Sequence, residues 1–447
     1  MPAHIRRRRG LRVTAGVAVL AGLVALPAIS GAAGNGTELA SVNGKGKPLD
    51  RRAGLTTISG NGRFTAFTID LGLQPHDTLP EADVWMYDAK RGKGERISGD
   101  ARNTDDNFDA SVSGDGRYTA FVSDSEDLVN KRTDGGALNS RNYDIFVYDR
   151  KRERTEWVSL DPGNGGRQAL SPSISADGRY VAFASNSNNL PVREDLGSGK
   201  DYRVFVFDRE TGKTKLVSRS DEGDVPDESA WEPSISADGR YIAYYSLARN
   251  LAGGQTDHND DVFRYDTETR NTKLISVDSG GADAGNQDSD SPSISGGGAR
   301  IAFTSEASDL VAADGNGHTR DVFVRDLTTA TTSLVSVPSP TVPTGADGDS
   351  GVPSISGNGR FVAFPSEATN LVTGDDNGKS DVFRRSLPAA TTELVSVAAV
   401  GGRPGNGGSV DPAISGNGRV VAFASDAETL TPDHGRRTDV FVHTFAP

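Results

Sequence analysis

Short stretches in which apolar and polar residues alternate recur along the chain, separated by polar runs rich in Gly, Asn, Asp and Ser. One such stretch is Pro353-Ser354-Ile355-Ser356-Gly357-Asn358-Gly359-Arg360-Phe361-Val362-Ala363-Phe364, and altered copies of it occur seven times. The first apolar residue of each copy, here called the anchor, follows the previous anchor by 54 to 62 residues. A period of this kind indicates a repeat protein. The anchors are Ile58, Val112, Ile174, Ile235, Ile294, Ile355 and Ile414.

Each copy predicts four short β-strands. The first strand ends at an Asn-Gly or Asp-Gly pair such as Asn358-Gly359, which is a strong signal for a hairpin turn. The second strand is rich in aromatic and β-branched residues, as in the segment 179–183, and such residues suit a half-buried sheet. A long polar loop then leads to the third strand, for example residues 321–324, and a turn leads to the fourth, for example residues 214–218.

Four sequential strands within about sixty residues favour the blade of a β-propeller, because consecutive strands can pair as antiparallel hairpins. A row of small β-sandwiches is the less favoured alternative, since one repeat is too short to build its own core. We therefore predict an all-β protein, a seven-bladed β-propeller with four-stranded blades.

The two ends of the chain predict how the ring closes. The last copy stops after its third strand, at residues 441–447, so its fourth strand is missing. The segment 37–42 (TELASV) resembles the fourth strand 392–397 (TELVSV). We therefore predict that the N-terminal strand completes blade seven, which leaves no unpaired sheet edges at the junction.

The N-terminal region, residues 1–33, has the features of a secretory signal peptide. Arginines at 6–9 and 12 precede an apolar run from Val13 to Ile29, and small residues follow at 30–33. A membrane anchor is the alternative, but the apolar run is somewhat short for one. We therefore predict a signal peptide at 1–33 and a single propeller domain at 34–447. The chain has no cysteine, which excludes disulfides and a lipoprotein anchor.

The charge of the chain narrows the function classes. The formal net charge is −13, and loss of the five arginines in residues 1–33 would make it −18. An acidic exported protein is a poor candidate for binding nucleic acid or anionic membranes. We expect a monomer in the periplasm, the cell wall or the extracellular medium, without stable membrane insertion once the signal peptide is removed.

The repeated elements Pro-Ser-Ile-Ser, Asp-Gly-Arg, Val-Ala-Phe and Asp-Val-Phe-Val resemble the TolB-type, or WD-like, propeller repeat over the whole mature chain. The resemblance implies either an exported binding module that stands alone or a propeller that precedes a serine peptidase domain. The nucleophilic Ser of such a domain commonly lies in a Gly-x-Ser-x-Gly element. The sequence contains no such element. TolB itself has an additional N-terminal domain and works with an outer-membrane lipoprotein. This sequence shows no such domain, which weakens the inference of that partnership.

The loops of a propeller blade predict where a ligand would bind. Turns that join strands one and two, and strands three and four, lie on one face, here called the plain face. The longer connections lie on the opposite face, here called the loop face, and binding residues commonly lie on such loops.

Three polar loops on the loop face are candidate calcium sites, because closely spaced Asp and Asn oxygens suit calcium. The alternative is that these residues form Asx turns and order the start of the third strand. The candidate ligands are Asp375, Asn377 and Asp381, then Asp314, Asn316 and Asp321, and then Asp257, Asn259 and Asp261.

Two function classes follow from these observations. The first is an exported, non-catalytic module that binds a protein or another cell-envelope component through its loop face, with calcium as a candidate stabilising ion. The second is a propeller enzyme, a lyase or hydrolase that acts on polysaccharide in the central pocket. We predict no catalytic residues, because the inner positions of the repeat look like ordinary strand residues.

Overall fold

The computed structural model describes most of the chain after residue 35. No α-helix is present among these residues, so none there is long and apolar enough to span a membrane. Residues 1–33, where we predict the signal peptide, lie outside this set. The described residues are 36–69, 82–98, 106–125, 128–129, 143–160, 167–192, 196, 201–253, 258–312, 314–338, 345–399, 402–432 and 437–446.

The strands of the described residues form seven four-stranded antiparallel sheets. The first strand is β1 (Gly36–Leu39). Blades 1 and 2 contain β2 (Ala53–Ile58), β3 (Phe64–Ile69), β4 (Asp83–Asp88), β5 (Lys93–Arg96), β6 (Asn107–Val112), β7 (Tyr118–Ser123), β8 (Asp144–Asp149) and β9 (Arg154–Trp157). Blades 3 and 4 contain β10 (Ala169–Ile174), β11 (Tyr180–Ser185), β12 (Arg203–Asp208), β13 (Lys213–Leu216), β14 (Ala230–Ile235), β15 (Tyr241–Ser246), β16 (Asp261–Asp266) and β17 (Asn271–Leu274).

The remaining strands belong to blades 5 to 7. Blade 5 contains β18 (Ser289–Ile294), β19 (Arg300–Ser305), β20 (Asp321–Asp326) and β21 (Thr331–Leu334). Blade 6 contains β22 (Ser354–Ile355), β23 (Phe361–Ser366), β24 (Asp381–Ser386) and β25 (Thr391–Leu394). Blade 7 contains β26 (Ser409–Ile414), β27 (Val420–Ser425), β28 (Asp439–Thr444) and β1. The prediction of a seven-bladed propeller with four-stranded blades is confirmed.

Blade 7 combines both ends of the chain. Strand β1 pairs antiparallel with β28, with Gly36 opposite Thr444 and Leu39 opposite Phe441. The sheet order is β1-β28-β27-β26, so the N-terminal strand is the outer strand of a blade whose other strands are C-terminal. This arrangement confirms the predicted closure of the ring.

A second closure lies at the hairpin turns between the first and second strands of the blades. In each turn a backbone amide donates to a backbone carbonyl in the next blade, with N···O distances of 2.9 to 3.0 Å, and the last bond runs from Gly416 to Gly60. We call this closed set of seven bonds the turn ring. Small residues are needed there, because a Cβ added to Gly416 would lie 2.9 Å from the Gly60 carbonyl oxygen. Its bonds are Asn61 to Gly114, Gly114 to Ala176, Ala176 to Ala237, Ala237 to Gly296, Gly296 to Gly357, Asn358 to Gly416 and Gly416 to Gly60.

The largest side chains of the core are aromatic residues of the second and third strands, which pack among Val, Ile, Leu and Ala. Within a blade these rings face each other across the two strands, as for Phe183 and Phe205, whose centroids are 5.9 Å apart. Each such ring contributes roughly 2 to 3 kcal/mol through burial. The largest fully buried side chains are Phe67, Phe121, Phe146, Phe183, Phe205, Tyr244, Phe263, Phe303, Phe323, Phe364, Phe383 and Phe423.

Six blades share a hydrogen bond that ties the start of the third strand to the residues after the fourth. A Ser hydroxyl donates to Oδ1 of the Asp that begins the third strand, at 2.5 to 2.9 Å. In blade 3, Arg203 replaces this Asp, and Ser218 accepts a hydrogen bond from the Val204 amide at 3.0 Å. The pairs are Ser98–Asp83, Ser159–Asp144, Ser276–Asp261, Ser336–Asp321, Ser396–Asp381 and Ser41–Asp439.

Recurrent arginines stabilise the plain face. In blades 1 to 4 the Arg after the hairpin turn pairs with the Asp that ends the third strand, at 2.7 to 2.8 Å. Blade 5 has Ala299 at that position, and the next residue, Arg300, pairs with Asp326 instead at 2.8 Å. These contacts support a structural role for the repeated Arg. The pairs in blades 1 to 4 are Arg63–Asp88, Arg117–Asp149, Arg179–Asp208 and Arg240–Asp266.

Blade 6 departs from the other blades at its inner strand. Strand β22 has two residues, whereas each of the other inner strands has six. The neighbouring strand β23 contains Pro365, where other blades have a residue with an amide hydrogen. Proline cannot donate to the strand ladder. Before β22, the chain contacts β23 through an isolated bridge between Ser350 and Ser366 and through a bond from the Gly351 amide to the Pro365 carbonyl, at 2.9 Å.

His443 lies at the seam between β1 and the rest of blade 7. The side chain is 7% exposed, and its Nδ1 shares a hydrogen bond of 2.8 Å with Thr37 Oγ1. The pKa of His443 is lowered to about 4, mainly by burial and also by the charge of Arg384, against a smaller opposite effect of Glu393. Between about pH 6.5 and pH 4 the unfolded chain therefore binds a proton that the folded protein does not bind.

We predict that acidification weakens the ring through His443. As the pH falls from 7 to 4, wild type should lose up to about 3 kcal/mol of unfolding free energy relative to His443→Asn. The quantity to compare is the difference in unfolding free energy between wild type and His443→Asn at each pH. Asp321 and Asp381, whose pKa values are raised to about 6, stabilise both proteins as the pH falls, and the difference removes their effect. Urea unfolding followed by circular dichroism at several pH values measures it. A difference that stays constant with pH would contradict the prediction.

Candidate functional site

An open cavity of about 570 Å³ lies on the propeller axis, and the inner strands of all seven blades line it. In each blade the residue three positions before the anchor is part of the lining. We call these seven residues the axial residues. They are Leu55, Asp109, Ser171, Glu232, Ser291, Val352 and Asp411.

The backbone gives the axial residues an unusual conformation. In six blades the inner strand is irregular at this point, and the axial residue has a φ of 46° to 52°. Val352, in the blade whose inner strand is shortened, is the exception. A β-bulge with a non-glycine residue in the left-handed region costs of order 1–3 kcal/mol and turns the strand locally. Its recurrence in six blades makes it a feature of the scaffold.

Three axial residues are carboxylates, and each interacts with the axial residue of the next blade. The carboxylate of Asp109 accepts hydrogen bonds from the backbone and the side chain of Ser171. Glu232 accepts one from the Ser291 side chain, and Asp411 Oδ2 accepts one from the Leu55 amide at 3.4 Å. The axial carboxylates therefore link neighbouring blades and also place negative charge in the cavity.

The cavity walls raise the pKa values of these groups. Loss of water contacts raises the pKa of Asp109 to about 6, and the charge of Glu232 adds to the effect. The pKa of Glu232 is raised by desolvation and by the charge of Asp290, while burial raises that of Asp411. A cation in the cavity would reverse these shifts, because it would favour the ionised carboxylates.

More acidic residues adjoin the cavity at the loop face of blades 4 and 5. Burial raises the pKa of Asp260 to about 6, with further contributions from the charges of Asp288, Asp290 and Glu232. The Asp260 amide also donates to Asp288 Oδ1 at 2.9 Å. Arg320 offsets part of this charge through an ion pair with Asp290.

Aromatic side chains adjoin the same end of the cavity in blades 2 to 4. Phe108 lines the cavity and packs edge to face against Tyr143, with ring centroids 5.2 Å apart. Trp231, which lies within β14, contacts Tyr202 of blade 3, with ring centroids 3.8 Å apart. The loop-face end of the cavity thus combines carboxylates with aromatic rings.

The candidate calcium loops of blades 5 and 6 share one hydrogen-bond pattern. Asn377 Nδ2 donates to Asp381 Oδ2 at 2.6 Å and to the Gly405 carbonyl at 2.8 Å. Asn316 makes the same two bonds, to Asp321 Oδ2 at 2.7 Å and to the Ala346 carbonyl at 2.8 Å. In both loops the Asn Nδ2 therefore lies between the Asp Oδ2 and a carbonyl oxygen. A cation bound by these two oxygens would need that same position.

Other candidate calcium ligands differ in their surroundings. Asp375 is 8% exposed and its Oδ2 has no hydrogen-bond partner, whereas Asp314 Oδ1 accepts a hydrogen bond of 3.4 Å from the backbone amide of Asn316. In blade 4, Asp261 accepts a hydrogen bond from Ser276, and Asn259 lies two residues before it. Asp257 lies outside the described residues. Among the described residues no three His, Cys, Asp or Glu side chains are grouped so as to hold a metal.

Sequence analysis did not identify the axial carboxylates. We expected ordinary strand residues at the inner positions, and this expectation is wrong for Asp109, Glu232 and Asp411. A signal was present in the repeat: the position three residues before the anchor varies from blade to blade, whereas the residue after it is Pro in five blades. In a repeat protein, a variable position beside a recurrent one indicates a site that is specific to the individual protein.

The fold and the site define a seven-bladed β-propeller with an acidic axial cavity. No protein-family model matches the sequence, and no curated protein matches it. Several solved structures are similar to it.

The propeller domain of the trilobed protease from Pyrococcus furiosus has a TM-score of 0.52 and 11% identity, covering 88% of this chain and 95% of that chain. An oligogalacturonate lyase from Vibrio parahaemolyticus has a TM-score of 0.51 and 12% identity, covering 92% of this chain and 96% of that chain. TolB from Acinetobacter baumannii has a TM-score of 0.42 and 14% identity, and the match covers 78% of this chain and 64% of the TolB chain. The first two similarities show a shared propeller fold.

The calcium hypothesis predicts a stabilisation that depends on Asp375. Calcium at a hundred times its dissociation constant should raise the unfolding free energy by about 2.7 kcal/mol, which corresponds to a shift of at least about 2 °C in melting temperature. Asp375→Asn removes the charge of the unpartnered carboxylate, so the shift should disappear in that variant. Asp381 is a poor choice for this test, because it also holds Ser396.

Thermal unfolding in chelator and again in millimolar calcium provides the measurement. Asp376→Asn, which changes an exposed carboxylate in the same loop, is the matched control. Identical melting curves of wild type in the two conditions would reject calcium binding at this loop.

Proposed function

We propose that this protein is an exported, non-catalytic module that binds a protein or another cell-envelope component through its loop face. The observation that carries the proposal is the position of exposed apolar surface. The large hydrophobic side chains that are exposed among the described residues line the axial cavity or lie at the loop face. They are Leu55, Leu247, Val352 and Val410, which are 36 to 54% exposed.

These residues follow the topology of the blade. Leu247 comes directly after β15, which ends at the loop face, and Val410 is at the start of β26 on the same side. Leu55 and Val352 are axial residues. Apolar side chains left in water on one side of a rigid scaffold favour a contact surface for a partner.

The contrast between the two faces supports the same proposal. On the plain face the hairpins repeat the same hydrogen bonds and, in five blades, the same type of Arg–Asp pair. At the loop-face end of the inner strands, one position before the axial residue, the side chains range from none to a large aromatic ring and include one carboxylate. These residues are Gly54, Phe108, Leu170, Trp231, Asp290, Gly351 and Val410.

Export, the class of partner and the monomeric state remain part of this proposal. The signal-peptide features of residues 1–33 support export, and the net charge of −13 makes nucleic acid an unsuitable partner. Calcium enters only as a candidate stabilising ion of the loop face.

The alternative function is a propeller enzyme, a polysaccharide lyase or hydrolase with its chemistry in the axial cavity. The pKa of Asp109, raised to about 6, favours it, because such a carboxyl group can exchange protons near neutral pH. The negative charge of Asp109, Glu232 and Asp411 would repel the anionic polysaccharide that a lyase needs, so a neutral polysaccharide cleaved by hydrolysis is the better candidate substrate. New reducing ends released by wild type and not by Asp109→Asn would support this alternative over the binding module.

The proposal predicts that a partner can be cross-linked from the loop face and not from the plain face. The photoreactive residue p-benzoylphenylalanine replaces Leu247 or Val410 on the loop face, and Glu210 or Glu268 on the plain face, in cells that export the protein. The two glutamates are suitable controls because both side chains are 66% exposed. After irradiation, we expect an adduct of defined mass from the loop-face positions.

Adducts of equal yield from the two faces, or from the plain face alone, would contradict the proposed binding surface. Melting temperatures of the four variants, measured before irradiation, separate a lost contact from a misfolded protein.

A further inference from the structure

Two apolar axial residues flank the blade-7 carboxylate Asp411 in the axial cavity. Leu55 of blade 1 is 36% exposed and Val352 of blade 6 is 54% exposed, and both line the cavity. Phe108 and several prolines of the inner strands, including Pro353, complete this surface. An apolar side chain that remains in water inside a cavity indicates a ligand with an apolar part, since burial of that surface is favourable.

The same cavity also carries the carboxylates of Asp109 in blade 2 and Glu232 in blade 4. Desolvation raises the pKa of Asp109, with an added contribution from the charge of Glu232, whereas the pKa of Glu232 is raised by desolvation and by the charge of Asp290. Their hydrogen-bond donors, Ser171 and Ser291, are neutral, and the nearby cation Arg320 is paired with Asp290. A positively charged group is therefore the ligand group that best complements these carboxylates.

We propose that the axial cavity binds a lysine side chain from an extended segment of the partner, with the ammonium group beside Glu232 and Asp109 and the aliphatic stem against Leu55 and Val352. This inference rests on the proposed function and names the chemistry of the partner. A lysine side chain combines a compact charge with four methylene groups, which matches a cavity lined by both carboxylates and apolar side chains. The volume of about 570 Å³ accommodates side chains of an extended segment and not a folded domain.

A fluorescent pentapeptide, Gly-Lys-Gly-Lys-Gly, is the probe, and fluorescence anisotropy with the mature protein measures its affinity. Two altered peptides separate the two parts of the lysine side chain. Acetylation of both lysines keeps the stem and removes the charge, whereas diaminopropionate in their place keeps the charge and shortens the stem. We expect each alteration to weaken binding by about tenfold or more.

Protein variants test the acidic and the apolar residues of the cavity separately. Glu232→Gln and Asp109→Asn should each weaken binding of the lysine peptide by about tenfold, and Val352→Ser should weaken it less. Glu268→Gln, which removes the same charge on the plain face, should leave the affinity unchanged. Glu232 is exposed to the cavity, so its replacement should fold normally even if Asp109→Asn proves unstable.

Several outcomes would overturn the inference. These are the absence of saturable binding, equal binding of the acetylated peptide, and equal effects of Glu232→Gln and Glu268→Gln. Displacement of the peptide by calcium alone, in a manner that depends on Glu232, would make the cavity a metal site instead.

Cross-linking from Leu247 and Val410, measured on the same variants, separates this inference from the proposed function. Partner adducts without lysine-peptide binding would reject the lysine ligand alone. If the photoreactive residue at Leu247 or Val410 gives no adduct even when the cavity residues are unchanged, the loop face is rejected as the binding surface as well.

Discussion

The contact between neighbouring blades at the axis is the constraint on which the rest of the structure depends. Seven backbone hydrogen bonds of the turn ring run from each blade to the next and return from Gly416 to Gly60. Pairing of β1 with β28 closes the circle a second time at the outer edge of blade 7. The propeller domain of the trilobed protease from Pyrococcus furiosus is described as having an open velcro topology, so the similar fold does not require this outer closure.

This constraint explains why the two faces differ. The Gly and Ala residues of the turn ring must stay small, and its hairpins must keep their geometry, so the plain face repeats from blade to blade. Axial residues lie beyond the ring and meet no such requirement, which allows Asp109, Glu232, Leu55 and Val352 to occupy equivalent positions. The chemistry of the cavity is therefore carried by a few side chains on a scaffold that is otherwise uniform, and any binding specificity has to come from those positions and the adjoining loops.

Sequence alone predicted the fold because its signals are local and repeated. Each Asn-Gly or Asp-Gly turn specifies a hairpin, and the likeness of residues 37–42 to 392–397 predicted the closure correctly. The axial carboxylates were missed because their importance depends on geometry: seven strands far apart in sequence bring the residue three positions before each anchor to one axis. The candidate calcium residues Asp321 and Asp381 show the converse, since the repeat that made them conspicuous also gives them Ser336 and Ser396 as hydrogen-bond partners.

The closed ring is tested most directly by native-state hydrogen exchange of the backbone amides. The amides of β1, of β28 and of the turn ring, including Gly114 and Gly416, should exchange with one common free energy, close to that of global unfolding. Opening at the seam would then require the whole ring to unfold. Exchange of the β1 amides at a much lower free energy than those of β28 would contradict the account, because it would show that the N-terminal strand detaches while the remaining blades stay folded.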